Sequence, residues 1–182
     1  CSPNVVALFP RIMEVADALC IKSSPLFDTA EAERKFGDCS VEVLSLAGEC
    51  KEVMIYSPCD APSLVAEAVG KGRYEALREE IAPSPSAKEF DPDAYHYLIV
   101  ADVALQKARL VAHALRGVAD VWSNNSFGFA ESYPEGILGR VMEIERIVPF
   151  DIKSLKRELK GQKVNIMLRD FPHSIEQVRT RC

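Results

Sequence analysis

The chain has 182 residues, 48% of them hydrophobic and 27% charged, with a formal net charge of −5. That balance fits a globular protein large enough to bury a core, as one domain or two small ones, and argues against a disordered or fibrous chain. No apolar run approaches the ~20 residues of a membrane span and no basic-then-apolar leader opens the sequence, so no membrane is expected and a cytoplasmic location is the default. The first residue is Cys1 rather than Met, which predicts a piece of a longer protein or a processed product.

Ser2-Pro3 reads as a cap and first helical position for a helix of about residues 3–15, broken at Pro10. ALCIKS, ending at Ser23, has the length of a short buried strand, with Cys20 as one of its small hydrophobes. Asp28-Thr29 can cap a helix through AEAERKF that Gly37 ends. VEVLSLAGECKEVMIY reads as two strands joined at Ala47-Gly48, a hairpin at a sheet edge. Residues 63–81 are expected to be helical with weak points at Gly70 and Gly72, and APSPSAKEFDPDAYH to be a loop. YLIVA, Tyr97 to Ala101, is a predicted strand. DVALQKARLVAHALRG is a predicted single helix capped by Asp102 and stopped by Gly117, with His113 near its C-terminal end.

SNNSFGFAESYPEG is expected to be a loop. After it LGRVMEIERIV reads as a strand, FDIKSLKRELKG as a helix capped by Asp151, KVNIMLRDF as a strand, and SIEQVRTR as a helix with Ser174 and Gln177 as a capping box. The order β-α-β-α describes a small α+β module at 137–182.

Six cysteines, Cys1, Cys20, Cys39, Cys50, Cys59 and Cys182, include no CxxC pair, and His96, His113 and His173 are far apart in sequence. No metal site, redox pair or disulfide framework is expected. Charge is uneven. Residues 137–182 hold ten Lys/Arg against six Asp/Glu, a net of +4, while residues 1–136 hold twelve against twenty-one, a net of −9. A basic end on an acidic body fits either a polyanion-binding face or a solvated surface.

No GxGxxG or GxxxxGK turn, GxSxG elbow or HExxH pair occurs, so no catalytic residue is assigned. Three local features remain. Lys22, Ser23, Ser24 and Pro25 follow a strand, where open α/β sheets bind ligands, and are candidates for a substrate rim. Their plainer role is a strand-end turn. Glu49, Lys51 and Glu52 can face that loop or simply charge a hairpin tip. Lys153, Lys156, Arg157, Lys160, Lys163 and Arg169 can meet the phosphates of a nucleic acid, or form a solvated face.

Taken in order, CSPNV, LCIKSSPLFD, VEVLSLAGECKEVMIY, FDPDAYHYLIVADVALQKARL and GRVMEIERIVPFDIKSLKRELKGQKVNIMLRDFPHSIEQVRTR resemble the C-terminal part of a class I S-adenosylmethionine-dependent methyltransferase with a THUMP-like C-terminal domain. The tail carries the most specific likeness: a PF-x-x-K-x-L-K helix, an apolar segment ending in Arg169, and Phe171-Pro172 before Ser174. The resemblance implies an α/β fold. Residues 1–136 would be the later strands and closing hairpin of a Rossmann-like sheet, and 137–182 the THUMP-like module. It also implies that the glycine motif for S-adenosylmethionine and a DPxR-type motif lie before CSPNV, so no cofactor-binding residue is expected in this chain, which alone would be inactive. RNA is the implied substrate. One departure stands at Tyr97 to Ala101, where relatives often carry YLYEP and this chain has neither the acid nor the proline. An incomplete sheet predicts an exposed edge through which two copies could pair. The competing expectation is a non-catalytic nucleic-acid-binding or protein-interaction module.

Overall fold

The computed structural model describes residues 3–59, 62–81, 89–123, 127–169 and 171–181. The Ser2 cap, Cys1, Cys182 and parts of both expected loops lie outside them.

The chain begins with α1 (Val5–Met13), which contains Pro10 and is capped by Asn4, whose side chain accepts from the Ala7 amide. β1 (Leu19–Ser23) follows, then a short 3-10 turn (Thr29–Glu31) and α2 (Ala32–Phe36). Asp28 caps that turn by accepting from the Ala30 amide at 3.0 Å. β2 (Ser40–Leu46) and β3 (Glu49–Ser57) form the expected hairpin, but inside the sheet rather than at its edge, because β1 flanks β3 and a later strand, Leu64–Ala68, flanks β2. Ala47 and Gly48 both take positive φ at its tip, 54° and 81°, the paired left-handed conformation that matches the twist of the flanking strands.

β3 lies between β1 and β2 and is antiparallel to both, so β1 and β2 run parallel. Ile21 stands opposite Ile55 and Val41 opposite Ile55 on its other side. Val41, Val43, Val53 and Ile55 are fully buried on one face, where Ala32, Phe36, Ala104 and Leu105 close over them. This apolar layer supplies the main stabilisation, at about 1.5–3 kcal/mol per fully buried aliphatic side chain. Cys20 corrects an expectation: its place in an apolar run suggested burial, but the alternation of β1 buries Ile21 and leaves Cys20 exposed.

Residues 63–81 are not a helix. They form β4 (Leu64–Ala68) and β5 (Gly72–Ala76), which carry the sheet outward in the order β1-β3-β2-β4-β5. Ala and Glu suit a helix, but β2 offers an unpaired edge and β4 fills it in parallel, Val43 against Ala66. Gly70, at φ 75°, turns the chain back. On the outer face Arg73 meets Glu42, Glu67 and Glu75 at 2.6, 3.1 and 2.5 Å, which ties β2, β4 and β5 together.

The second sheet is antiparallel, in the order β7-β8-β6-β9, from β6 (Tyr97–Ala101), β7 (Asp120–Val121), β8 (Gly128–Ala130) and β9 (Gly139–Glu143). β8 lies within the stretch expected to be a loop: Phe129 and Ala130 join an aromatic and aliphatic layer that needs strand geometry, a pull invisible in the turn residues around them. The single helix expected from Asp102 to Gly117 is two, α3 (Val103–Lys107) and α4 (Val111–Ala114), parted by Arg109 at φ 60°. The break lets Leu110, Val111 and Leu115 face the core as well as Ala104 and Leu105, which one straight helix would spread around its circumference. α3 lies against β2, β3 and β4, so the helix leaving the second sheet covers the first.

In the tail, α5 (Ile152–Glu158) and α6 (Ile175–Arg181) form as expected. The capping box is real: Ser174 Oγ accepts from the Gln177 amide and Gln177 Oε1 from the Ser174 amide. The strand expected over KVNIMLRDF does not form among the described residues. Its β-rich side chains meet no ladder partner, and strand propensity without one leaves an extended segment.

Candidate nucleic-acid interface

The rim candidates sit where β1 ends. Ser23 is its last residue, opposite Val53 on β3. Lys22 pairs with Glu52 at 2.5 Å, so its charge is engaged by the hairpin. Ser24 Oγ accepts from the Leu26 amide and the Ser24 carbonyl accepts from the Phe27 amide at 2.9 Å, so Ser24 and Pro25 build a turn. The turn leaves Leu26 91% exposed. Lys51 bonds Glu49 at 2.6 Å on the hairpin tip, and that contact holds the Glu49 carboxyl below its usual range.

Lys153, Lys156, Arg157, Lys160, Lys163 and Arg169 are all exposed. Lys153, Lys156 and Arg157, at i, i+3 and i+4, share one face of α5, and Lys160 continues the row into the turn after it. Asp151 caps this helix, accepting from Ser154 N at 2.9 Å and Lys153 N at 3.4 Å, and those bonds to Ser154 lower its pKa. Arg146 pairs with Glu158. Phe150 and Phe171 meet edge to face at 4.8 Å beside His173, and this small apolar knot links the two ends of the tail.

Arg169 stands elsewhere. It lines a cavity of about 420 Å³ with Lys71, Asp102, Gln106, Arg140 and the backbone at Gly48 and Gly139. This cavity lies where the tip of the β2-β3 hairpin and the β4-β5 turn meet the start of α3 and the start of β9. The other five tail candidates and the four rim residues do not line it. Gln106 Nε2 donates to the Ala101 carbonyl at 2.6 Å, and Asp102 Oδ1 accepts from Ser45 Oγ and from the Ala104 amide. At Gly139 a Cβ would stand 2.5 Å from the Val100 carbonyl oxygen, so glycine is what allows β9 to approach β6 here. Arg169 lies over the Phe127 ring, 5.9 Å from its centroid.

Lys71 and Arg140 carry no motif in the sequence. Lys71 falls between Gly70 and Gly72, in a segment whose helical reading hid the turn, and Arg140 reads as one more charge on a strand. The glycines on either side of Lys71, weighed as a hairpin signal, would have placed it at a sheet end.

Residues 139–182 match the family described as THUMP domain-like. The match is to the tail alone. Over its whole length the chain is similar in structure to a candidate methyltransferase from Porphyromonas gingivalis W83, solved by crystallography, with a TM-score of 0.77 and 21% sequence identity. The likeness covers 100% of this chain and 48% of that one, so the chain spans about half the length of this neighbour. At that identity the likeness concerns the fold. No curated protein matches the chain.

Proposed function

We propose that the chain is the C-terminal part of a class I S-adenosylmethionine-dependent methyltransferase that acts on RNA, working in the cytoplasm. In this reading residues 1–136 are the later half of the catalytic domain, and 137–182 form a THUMP-like module that helps hold the substrate. The observation that carries it is the similarity of the whole chain to half of a candidate methyltransferase. Two features agree with it: the β1-β3-β2 order with β3 antiparallel between two parallel strands, and the THUMP domain-like match of the tail.

Nothing among the described residues forms a cradle for the cofactor. The turn after β1 uses Ser24 for its own hydrogen bonds, and Lys22 is paired with Glu52. The glycines with positive φ at 37, 48 and 70 follow a helix or close hairpins, and none opens a strand-to-helix phosphate or nucleoside cradle. We therefore assign S-adenosylmethionine to the half of the catalytic domain outside this chain. What this chain supplies is shape and charge. Methyl transfer from a sulfonium depends on holding donor and acceptor in line, so a chain without a recognisable acid-base motif suits that chemistry.

β1 pairs only with β3 among the described residues, which leaves its other edge open. The cofactor half would dock there. Without it, two copies would pair through the same edge.

The test is methyl transfer from S-adenosylmethionine carrying a labelled methyl group to cellular RNA, using the protein that the complete gene encodes. The reading predicts label in RNA that ribonuclease releases. RNA binding without methyl transfer would replace it with a non-catalytic RNA-binding module.

A further inference from the structure

Three cations from separate parts of the chain converge on the cavity: Lys71 from the β4-β5 turn, Arg140 from β9 and Arg169 from the segment before α6. One carboxylate, Asp102, faces them, so the charged lining is three positive against one negative, a net of +2, in a chain whose total is −5. Asp102 is buried and its Oδ1 accepts twice, from Ser45 and from the Ala104 amide, so that carboxylate is engaged in the wall.

The pairing of other cations sharpens the contrast. Arg73, Arg78, Arg109 and Arg146 each sit against at least one carboxylate. Among the described residues Lys71, Arg140 and Arg169 form no ion pair, although the chain has more acids than bases. Like charges gathered around a concave surface raise the local positive potential and favour a bound anion.

The site also limits the kind of anion. Its volume of about 420 Å³ exceeds what a lone phosphate needs, and it falls in the range of roughly 300–1,000 Å³ usual for ligand sites. Lys71, Arg140 and Arg169 are all exposed, so the charged side of the cavity is open to solvent. Phe127 does not line the cavity, but its ring lies under the Arg169 guanidinium and backs that cation. A cluster of cations around an open cleft is what the phosphate backbone of a single nucleic-acid strand requires.

We infer that this cavity seats a phosphodiester of an RNA strand, with Lys71, Arg140 and Arg169 around the phosphate. The inference rests on the RNA reading above and extends the substrate path from the tail onto the body of the protein.

The test is fluorescence anisotropy of a fluorescein-labelled oligouridylate titrated with the chain across a series of potassium chloride concentrations. The variants are Lys71→Gln with Arg140→Gln, and Arg140→Lys. Both positions are exposed, and far-UV circular dichroism with a urea midpoint verifies that the variants fold. The double variant is expected to bind more weakly. Its slope of log Kd against log salt should fall by about 0.7 units, the contribution of the one phosphate of a single strand that is no longer neutralised. Arg140→Lys should keep the wild-type slope, because it keeps the charge. Wild-type affinity and slope in the double variant would overturn the site while leaving the RNA reading in place. If the wild-type chain binds no oligouridylate, the RNA reading fails and the site with it. Inorganic pyrophosphate binding that the double variant loses, with RNA binding intact, would overturn the inference in favour of a small-anion site.

Discussion

Ser45 on β2 donates its hydroxyl hydrogen to Asp102, the residue that follows β6 and caps α3. The bond joins the two sheets, and both partners are buried, Ser45 at 1% and Asp102 at 8% exposure. Asp102 also accepts from the Ala104 amide at 3.0 Å, so one carboxylate starts the helix and fastens it over the first sheet.

Asp102→Ala should therefore lose a cap, worth about 1 kcal/mol, and a hydrogen bond to a charged group, worth about 1.5–3 kcal/mol. The expected loss in urea unfolding is about 2–4 kcal/mol. Ser45→Ala should cost about 1 kcal/mol, and the double variant should fall short of the sum because both remove one bond. Fully additive losses would show that the bond does not couple the sheets.

Gly139 and Gly128 separate backbone crowding from side-chain crowding. A Cβ at 139 would meet the Val100 carbonyl oxygen at 2.5 Å and Ala101 Cα at 2.9 Å, whereas at 128 the nearest atom is Leu115 Cδ1 at 2.6 Å. Backbone held in a ladder cannot yield as a leucine tip can. Gly139→Ala is expected to cost about 3 kcal/mol or more and Gly128→Ala about 1–2 kcal/mol. The reverse order in thermal unfolding would contradict the close approach of β9 to β6.

Two tyrosines make stability sensitive to alkali. Burial, then hydrogen bonding to Glu42, pushes Tyr56 up to about 12, and burial, then hydrogen bonding to Asp120, does the same for Tyr95. Unfolded tyrosine titrates near about 10. The folded state thus holds these protons more tightly, and stability present below about pH 10 should decline as pH rises toward about 12. Tyr95→Phe should flatten part of that decline in urea midpoints measured across the range. An unchanged profile in both Tyr95→Phe and Tyr56→Phe would contradict the assignment.

The tail makes a separate electrostatic prediction. Replacing Lys153, Lys156 and Lys160 together by Ala removes three cations that follow one helix face. If they meet phosphates, the salt slope for a single-stranded RNA should fall by about 2 units, at about 0.7 per phosphate. An unchanged slope would make this row a solvated face.

Elements written in local signals were legible. The β2-β3 hairpin follows from alternation around Ala47-Gly48, and α5 and α6 follow from Asp151 and from Ser174 with Gln177. What escaped was decided by partners distant in sequence. Residues 64–76 have helix-compatible composition, but the free edge of β2 takes β4. Arg109 breaks the predicted helix although no glycine or proline marks it, because the burial of Leu110 and Val111 decides the geometry there. KVNIMLRDF shows the converse, strand composition with no strand to join. At the candidate interface Arg169 was visible as a tail cation. Lys71 and Arg140 were not, since a cavity gathered from a turn, a strand and a tail has no signature in linear spacing.

We propose that this chain supplies the part of a methyltransferase that does not grip the cofactor. Isothermal titration of S-adenosylmethionine into this chain and into the protein encoded by its complete gene tests it most directly. Saturable binding to the complete protein and none to the chain alone is the expected result. Binding to the chain alone, or to neither, would contradict it.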